Sequence, residues 1–318
     1  MAPKIQTVLG DVHPRSLGRT LTHEHLCMDF EHFYRRPPKS VAELVNSEIS
    51  LSNVGFVRQY PYGTIVENTT EGLERNVLFY YNLAHSTDVK IVAGTGFYIE
   101  DVQAADVMAY SQEDMYKHML EELTVGYQNI KAGFIGEVAS VWPIRDFERK
   151  AIRATGELQE KIGCGVSFHP HRNPEAPFEI IRLYLEAGGK ADKAVMSHLD
   201  RTLLETEKLL EFSELGTYCQ FDLFGIEVSY YQLNPSTDMP SDVQRIEMID
   251  QLVQDGKQEK VLMSHDIHTK HRLTEFGGHG YDHIITNVIP KMKMKGFSQR
   301  LIDQITIENP ARWLTIEE

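Results

Sequence analysis

Two histidines separated by one residue, His23 and His25, are the first side chains in the sequence whose spacing could support chemistry. In a β-strand, residues two apart project to the same face, so both imidazoles would enter one space and Glu24 would point away. Paired imidazoles form half of a site for a borderline divalent metal such as zinc. Alone, the pair is equally consistent with two buried histidines that hydrogen-bond to neighbouring groups.

Four further ligand-type residues lie at the C-terminal ends of apolar runs: Glu137, His169, His198 and Asp266. A buried carboxylate such as Glu137 is costly unless it is paired or bound to a metal. Taken singly, each has another explanation: a core histidine, a helix N-cap for Asp266, or an arginine partner for Glu137. The set of six favours a metal centre, and six ligands suit two cations better than one structural zinc ion.

The elements that would position these side chains alternate along the chain as short apolar runs and longer amphipathic stretches. This alternation predicts an α/β fold with a parallel sheet, and eight such strands predict a (β/α)8 TIM barrel with its site at the C-terminal strand ends. We expect a single domain over residues 1–318. The predicted strands are 19–26, 63–68, 89–97, 132–139, 164–169, 194–199, 217–222 and 260–266.

Helices are predicted in most of the gaps. Ser111 can cap one, with Asp114 as its capping-box partner, and another covers 144–162 and ends at Gly163. The others are 178–187, 203–215, 243–254 and 298–305. The first crossover is the weak unit, because only a short helix over 41–49 is predicted there. Either 41–62 covers the barrel irregularly with a shortened first helix, or the sequence derives from an incomplete gene model.

The overall composition narrows the classes of partner. A formal net charge of −14 disfavours nucleic acid and anionic membrane surfaces. The sequence contains no apolar leader and no run of about 20 apolar residues, so a secretory signal or membrane span is not expected. Three cysteines without zinc-finger spacing indicate a reduced compartment, and we expect the cytoplasm.

Beyond these patterns, the chain resembles the phosphotriesterase family of the binuclear amidohydrolase superfamily. The six ligand-type residues match that family in order and by strand, and the opening string 20–26 and the closing string 308–312 fit as well. The resemblance implies that His23, His25 and Asp266 would hold the more buried cation. His169 and His198 would hold the more exposed one, and Glu137 would bridge the two. Bacterial phosphotriesterases use a carboxylated lysine as this bridge, whereas this sequence has a glutamate. This difference weakens any expectation of organophosphate hydrolysis here.

The resemblance also implies a mechanism, in which a metal-bridging hydroxide attacks the substrate and Asp266 is the catalytic general base. Arg172 and Arg201 follow the His169 and His198 strand ends and could clamp an acidic group on the substrate. Their alternative role is to pair with local acids such as Glu175 or Asp200. Tyr98, after the third strand, is expected to line the same pocket.

The function implied by resemblance to one subgroup is amide hydrolysis of small N-acyl amino or sulfonic acids, with N-acetyltaurine, cleaved to taurine and acetate, as the leading substrate. An esterase, lactonase or phosphotriesterase on the same two-cation site is the alternative, and a metal-binding barrel without turnover is a third. The expected cofactors are two divalent cations, with zinc favoured. The expected partner is a small anionic amide or ester, and homodimer formation is left open.

Overall fold

A computed structural model of the protein describes residues 3–28, 63–231 and 233–317. Within them, eight parallel strands form one sheet whose spatial order follows the chain. These strands are β3 (Thr20–Glu24), β4 (Thr64–Glu67), β5 (Lys90–Thr95), β6 (Phe134–Ala139), β7 (Val166–His169), β8 (Ala194–Met196), β9 (Tyr218–Phe221) and β10 (Val261–Met263). All eight predicted strands are confirmed, and each observed strand lies inside its predicted range.

The first and last strands of the sheet approach each other and bring the barrel close to closure. The Thr22 hydroxyl donates to the Met263 carbonyl at 3.2 Å, and the Asp266 amide donates to the His23 carbonyl at 3.1 Å. A short antiparallel hairpin of β1 (Ile5–Thr7) and β2 (Gly10–Val12) precedes the barrel and was not predicted. The predicted TIM barrel is therefore the observed architecture.

Helices occupy the connections after the second and later barrel strands. They are α1 (Val77–Ser86), α2 (Ala105–Met108), α3 (Gln112–Thr124), α4 (Asp146–Ile162), α5 (Ala176–Glu186), α6 (Leu199–Thr202), α7 (Thr206–Ser213), α8 (Asp242–Gln254), α9 (Ile289–Met294), α10 (Gln299–Asp303) and α11 (Asn309–Leu314). The capping box of Ser111 and Asp114 is confirmed at the start of α3. Helix α4 ends at Gly163, whose φ of 73° is left-handed.

Helix α1 was missed by the sequence analysis because its apolar residues do not fall on one face. Val77, Tyr80 and Leu83 are buried, whereas Leu78 and Tyr81 are exposed. The weak first crossover predicted over 41–49 lies outside the described residues. Among the described residues, no helix is long and apolar enough to cross a membrane.

The core has two layers, as barrel packing requires. Side chains that alternate along the strands fill the interior, and Trp313 closes the bottom with its indole N–H donating to the Val166 carbonyl at 3.2 Å. The interior set includes Val66, Val92, Phe134, Val195, Tyr218 and Leu262. A larger layer lies between strands and helices. Full burial contributes roughly 2 kcal/mol per large apolar side chain, so this packing holds the strand ends in fixed positions.

Candidate metal centre

All six predicted ligands converge at the C-terminal ends of the barrel strands. His23 lies in β3 and His25 directly follows it, Glu137 lies in β6, and His169 ends β7. His198 and Asp266 follow β8 and β10 by two and three residues. Their potential ligand atoms form two compact groups, each within 4.8 Å: His23 with His25 and Asp266, and Glu137 with His169 and His198.

The first group is assembled around the Asp266 carboxylate. Asp266 Oδ1 lies 3.3 Å from His25 Nε2 and 3.7 Å from His23 Nε2. All three side chains are buried. Two imidazole nitrogens and one carboxylate oxygen facing a common point are a donor set suited to a divalent transition metal.

Glu137 lies between the two groups and contacts both. Its Oε1 is 3.5 Å from His25 Nε2, and its Oε2 is 3.4 Å from His23 Nε2. The same Oε2 is 2.8 Å from His169 Nδ1 and 3.6 Å from His198 Nε2. An unmodified glutamate therefore reaches the position that a bridging carboxylate would need.

The buried polar atoms of this cluster would be better satisfied by bound cations than they are by hydrogen bonds to each other. His23 Nε2 is buried and has no hydrogen-bond partner among the described residues. His198 Nε2 and His169 Nδ1 approach to 2.8 Å on the same inner side. Buried nitrogens without a proper acceptor or donor are costly, and a bound cation would satisfy them together.

Groups behind two of the histidines fix which nitrogen faces the centre. His25 Nδ1 lies 2.9 Å from the Thr69 hydroxyl, which itself donates to Glu67 Oε1 at 2.6 Å. His198 Nδ1 lies 2.7 Å from Asp222 Oδ1. An acceptor at Nδ1 places the proton there and leaves Nε2 as the metal-binding atom, which is the usual arrangement behind metal-ligating histidines.

Asp222 could itself be read as a ligand, because it forms a third compact group with His23 and His198. Its oxygens, however, lie nearest to the Nδ1 atoms of these rings, at 2.7 Å from His198 and 3.4 Å from His23. Gln220 holds this carboxylate from the other side, donating to Oδ2 at 2.9 Å. The geometry gives Asp222 the role of orienting the imidazoles from behind.

The pKa shifts of the cluster differ from residue to residue. Those of His169 and Glu137 favour cation binding, whereas at His23 a proton competes with the cation. Burial lowers the pKa of His169 well below its usual value; Glu137 opposes this shift and His198 adds to it. Burial alone would raise the pKa of Glu137, yet the His169 and His23 charges bring it well below the usual range. Burial opposes charge on His23 too, but Glu137, Asp222 and Asp266 raise its pKa to about 10.

A cavity of about 1030 Å³ opens from the centre, and the three predicted substrate-contact residues line it. Arg201 is 3% exposed, and it donates to the Pro170 carbonyl at 3.2 Å and lies 3.3 Å from His169 Nε2. The Tyr98 hydroxyl lies 3.4 Å from the same His169 nitrogen. Burial raises the pKa of Tyr98 well above its usual value, so the hydroxyl keeps its proton at neutral pH.

The acids expected as alternative partners of the two arginines are occupied by other cations. Asp200 pairs with Arg245 at 2.8 Å, and Glu175 pairs with Lys208 at 3.0 Å. Arg172 instead donates through Nε and Nη2 to the hydroxyl of Tyr231, at 3.1 and 2.8 Å. In the part of the chain that the structure describes, Arg172 and Arg201 form no ion pair with a carboxylate.

Tyr231 reaches Arg172 from the loop between β9 and α8, whose two ends are anchored. Arg245, fully buried in α8, donates to the Ile226 carbonyl at 2.9 Å, and the Met239 amide donates to the Val228 carbonyl at 3.2 Å. Val228 and Tyr230 of this loop line the cavity and are 42% and 66% exposed. The loop therefore has a fixed base and an exposed apolar tip.

Several residues of the site were missed by sequence reasoning. Asp222 follows the seventh barrel strand, so the strand-end rule that found Asp266 could have found it. Glu67 is a carboxylate within an apolar strand, and the argument used for Glu137 applied to it as well. Tyr231 lines the cavity from a loop and Arg272 from a single 3-10 turn, where no periodicity marks them.

Comparison with known proteins gives matches over nearly the whole chain. A sequence model described as the phosphotriesterase family matches residues 3–314. The chain is 51% identical over 346 positions to the phosphotriesterase-related protein of Drosophila melanogaster, covering 98% of this chain and 99% of that protein. It is 50% identical over 353 positions to the Aedes aegypti protein of the same name, covering 99% of each. Both alignments exceed the 318 residues present here, so these relatives carry residues without a counterpart in this chain.

Solved structures share the architecture. The phosphotriesterase homology protein of Escherichia coli, in complex with phosphate in its active site, is 27% identical with a TM-score of 0.81, covering 94% of this chain and 99% of that one. A resiniferatoxin-binding protein from Rhodobacter sphaeroides has a TM-score of 0.91 at 22% identity, covering 98% and 94%. The organophosphorus hydrolase of Deinococcus radiodurans has a TM-score of 0.81 at 23% identity, covering 98% and 96%. The last two support the fold alone.

Proposed function

The chain belongs to the phosphotriesterase family, and we propose that it is an amidase that cleaves small N-acyl amino or sulfonic acids at a two-cation centre. The observation that carries this proposal is the pair of guanidinium groups beside the centre, Arg201 and Arg172, which lack carboxylate partners among the described residues. A buried cation without a counter-ion is unfavourable in the free protein, and a substrate acid would supply that counter-ion.

The two cations are proposed to be zinc, held by the six converging side chains. His23, His25 and Asp266 would bind one, His169 and His198 the other, and Glu137 would contact both. When bound, such cations act as Lewis acids and bring the pKa of water towards neutrality. The mixed nitrogen and carboxylate donor set supports zinc over a hard cation such as magnesium, which prefers oxygen ligands.

Asp266 is proposed to accept the proton of the attacking water and to return it to the leaving amine. Burial would raise the pKa of Asp266, but the His268 charge holds it well below its usual value. The group is therefore an anion at neutral pH, as a general base must be. Its carboxylate also lies at the edge of the cavity, within reach of a bound substrate.

The substrate's acid is proposed to bind between Arg201 and Arg172, with N-acetyltaurine as the leading candidate. Arg201 Nη2 lies 3.3 Å from the outer nitrogen of His169, whose inner nitrogen faces the cation site. An acid held there would lie only a few bonds from the scissile carbonyl, as the sulfonate does in N-acetyltaurine. The phosphate bound in the active site of the E. coli relative supports anion binding at this end of the barrel.

Hydrolysis of an ester, lactone or phosphotriester on the same centre is the second candidate, since the family whose model matches residues 3–314 takes its name from phosphotriester hydrolysis. To test between them, the protein is freed of metal, reloaded with zinc, and assayed on N-acetyltaurine, a lactone and a phosphotriester. We expect turnover of the amide, and a loss of most of it in Asp266→Asn.

Three outcomes would contradict the proposal or part of it. Faster turnover of the lactone or phosphotriester than of any acidic amide would replace amidase by the second candidate. No turnover of any substrate by protein that contains two zinc ions would favour a metal-binding barrel without catalysis. Wild-type turnover by Asp266→Asn would remove the assigned base.

A further inference from the structure

Glu24, the residue between the two metal-facing histidines, makes an unusually complete set of hydrogen bonds. It is fully buried and points away from the centre. Its Oε1 accepts from the Ser264 hydroxyl at 2.8 Å, the His265 amide at 3.0 Å and His265 Nδ1 at 2.7 Å. Its Oε2 accepts from the Ile267 amide at 3.0 Å. One carboxylate thus binds the residues on both sides of Asp266.

The segment that Glu24 holds has a strained conformation. Asp266 has a φ of 52°, in the left-handed region that side chains other than glycine rarely adopt. The backbone on either side is joined to β3, since the Asp266 amide donates to the His23 carbonyl at 3.1 Å and the His25 amide donates to the Ile267 carbonyl at 3.2 Å. A strained residue persists only where its surroundings hold it, and here those surroundings converge on Glu24.

The same network extends beyond β10. His265 Nε2 accepts a hydrogen bond from the Ile284 amide at 3.1 Å, which fixes the ring that donates to Glu24. The Ser264 hydroxyl also accepts from the His23 amide at 2.9 Å. Both contacts restrict the strand end on which Asp266 depends, and neither involves the cavity.

We propose that Glu24 is a positioning residue that sets the affinity of the His23, His25 and Asp266 group for its cation by holding Asp266 in its left-handed conformation. The inference rests on the metal-binding part of the proposed function and not on the identity of the substrate. It gives the middle residue of the His-Glu-His sequence a task distinct from that of its neighbours: the histidines bind, and the glutamate fixes the third ligand.

The test measures metal binding by the apoprotein, with zinc alone and no substrate. Glu24→Gln keeps the shape but turns one acceptor oxygen into a donor that faces N–H groups. We expect one of the two zinc sites to weaken by about 10-fold to 100-fold, the usual effect of losing a group that orients a ligand, in chelator-competition titrations. The absorption spectrum of the Co²⁺-loaded protein should change as well, because the ligand geometry changes.

A matched control separates positioning from general stability. Glu148 is another fully buried glutamate, and it accepts from the Glu100 amide at 3.2 Å, away from the centre. Glu148→Gln should leave zinc affinity and the Co²⁺ spectrum unchanged. If Glu24→Gln does not fold, His265→Phe keeps a ring but removes the Nδ1 donor to Glu24 and the Nε2 acceptor of the Ile284 amide, and a smaller weakening of the same site is expected.

Wild-type zinc affinities and Co²⁺ spectrum in a folded Glu24→Gln or His265→Phe protein would overturn the inference. Equal weakening of both zinc sites in Glu24→Gln and in Glu148→Gln would also overturn it, because the cause would then be general destabilisation. These results do not depend on turnover. Failure of the amidase assay in a wild-type protein that binds two zinc ions would contradict the proposed function and leave this inference intact.

Discussion

Replacing Arg201 by methionine should weaken the binding of acidic substrates without lowering stability. The methionine fills a similar volume but cannot bind an anion. Hydrogen bonds to charged groups contribute about 1.5–3 kcal/mol, and each 1.4 kcal/mol is roughly tenfold in rate, so kcat/KM for N-acetyltaurine should fall by about 10-fold to 150-fold. A neutral substrate of similar size, N-ethylacetamide, should lose less than about threefold on the same scale.

The stability part of this prediction follows from the environment of Arg201. Burial lowers the pKa of the guanidinium, and the nearby Arg172 charge lowers it further, so the charge on Arg201 destabilises the protein when no substrate is bound. Removing it leaves the Pro170 carbonyl without its donor but also removes a desolvated charge. We expect Tm to remain equal or to rise, which is typical of a residue kept for function.

The assay compares kcat/KM on the acidic and the neutral amide for the wild type, Arg201→Met and a control, Arg182→Met. Arg182 is exposed on α5 and pairs with Glu179 and Glu186, so both of its rates should match the wild type. Zinc content is measured in each variant, because Arg201 also contacts His169. An equal loss on both amides at full zinc content would refute the assignment of Arg201 to the substrate acid.

Three further predictions concern the metal, the fold and pH. Zinc binding at neutral pH should release protons, because burial opposes charge on His23 but Glu137, Asp222 and Asp266 together raise its pKa to about 10. Calorimetry in buffers of different ionisation enthalpy measures this release, and a heat of binding that does not depend on the buffer would contradict it. In urea unfolding, Gly94→Ala should lower the free energy of unfolding more than Gly163→Ala does. A Cβ at Gly94 would lie 1.8 Å from the Gly136 carbonyl oxygen, whereas a Cβ at Gly163 meets nothing within 4 Å. Equal losses of free energy in the two variants would contradict this prediction. Glu122→Gln should cost up to about 3–5 kcal/mol at neutral pH, because the largely buried Arg75 loses its carboxylate partner. Burial opposes ionisation of Glu122, but Arg75 lowers its pKa below the usual 4.5. The stability contributed by the ion pair is therefore complete above about pH 4.5 and is lost as the pH falls through the pKa of the folded state. A stability difference between Glu122→Gln and the wild type that persists in acid would refute the ion-pair explanation.

The position of the ligands could be predicted from the sequence because a simple rule governs it. Parallel strands end at one edge, and alternation decides which side chains enter the barrel, so His23, Glu137 and Asp266 were found from local patterns. The same patterns placed all eight strands. The prediction failed where the apolar residues do not keep to one helical face, as in α1, in which the exposed Leu78 and Tyr81 break the helical spacing of the buried residues.

The partners of polar side chains could not be predicted, since they depend on contacts between residues far apart in the sequence. Whether Arg201 is available to a substrate depends on Asp200, and Asp200 is occupied by Arg245, 45 positions along the chain. Likewise, nothing local to Glu24 indicates that its hydrogen-bond donors lie in the segment 264–267, more than 200 residues away. Such pairings arise only when the barrel brings its first and last strands together.

The anchored loop between β9 and α8 has a consequence for how this protein can diverge during evolution. Arg245 and the closure of Met239 onto Val228 hold the base of the loop, so substitutions or insertions at its tip leave the ligands of the cations undisturbed. Natural selection can therefore alter the accepted molecule through Tyr230 and Tyr231 while the hydrolytic chemistry is inherited unchanged. A lineage that carries this loop can explore new substrates at little risk to the reaction itself.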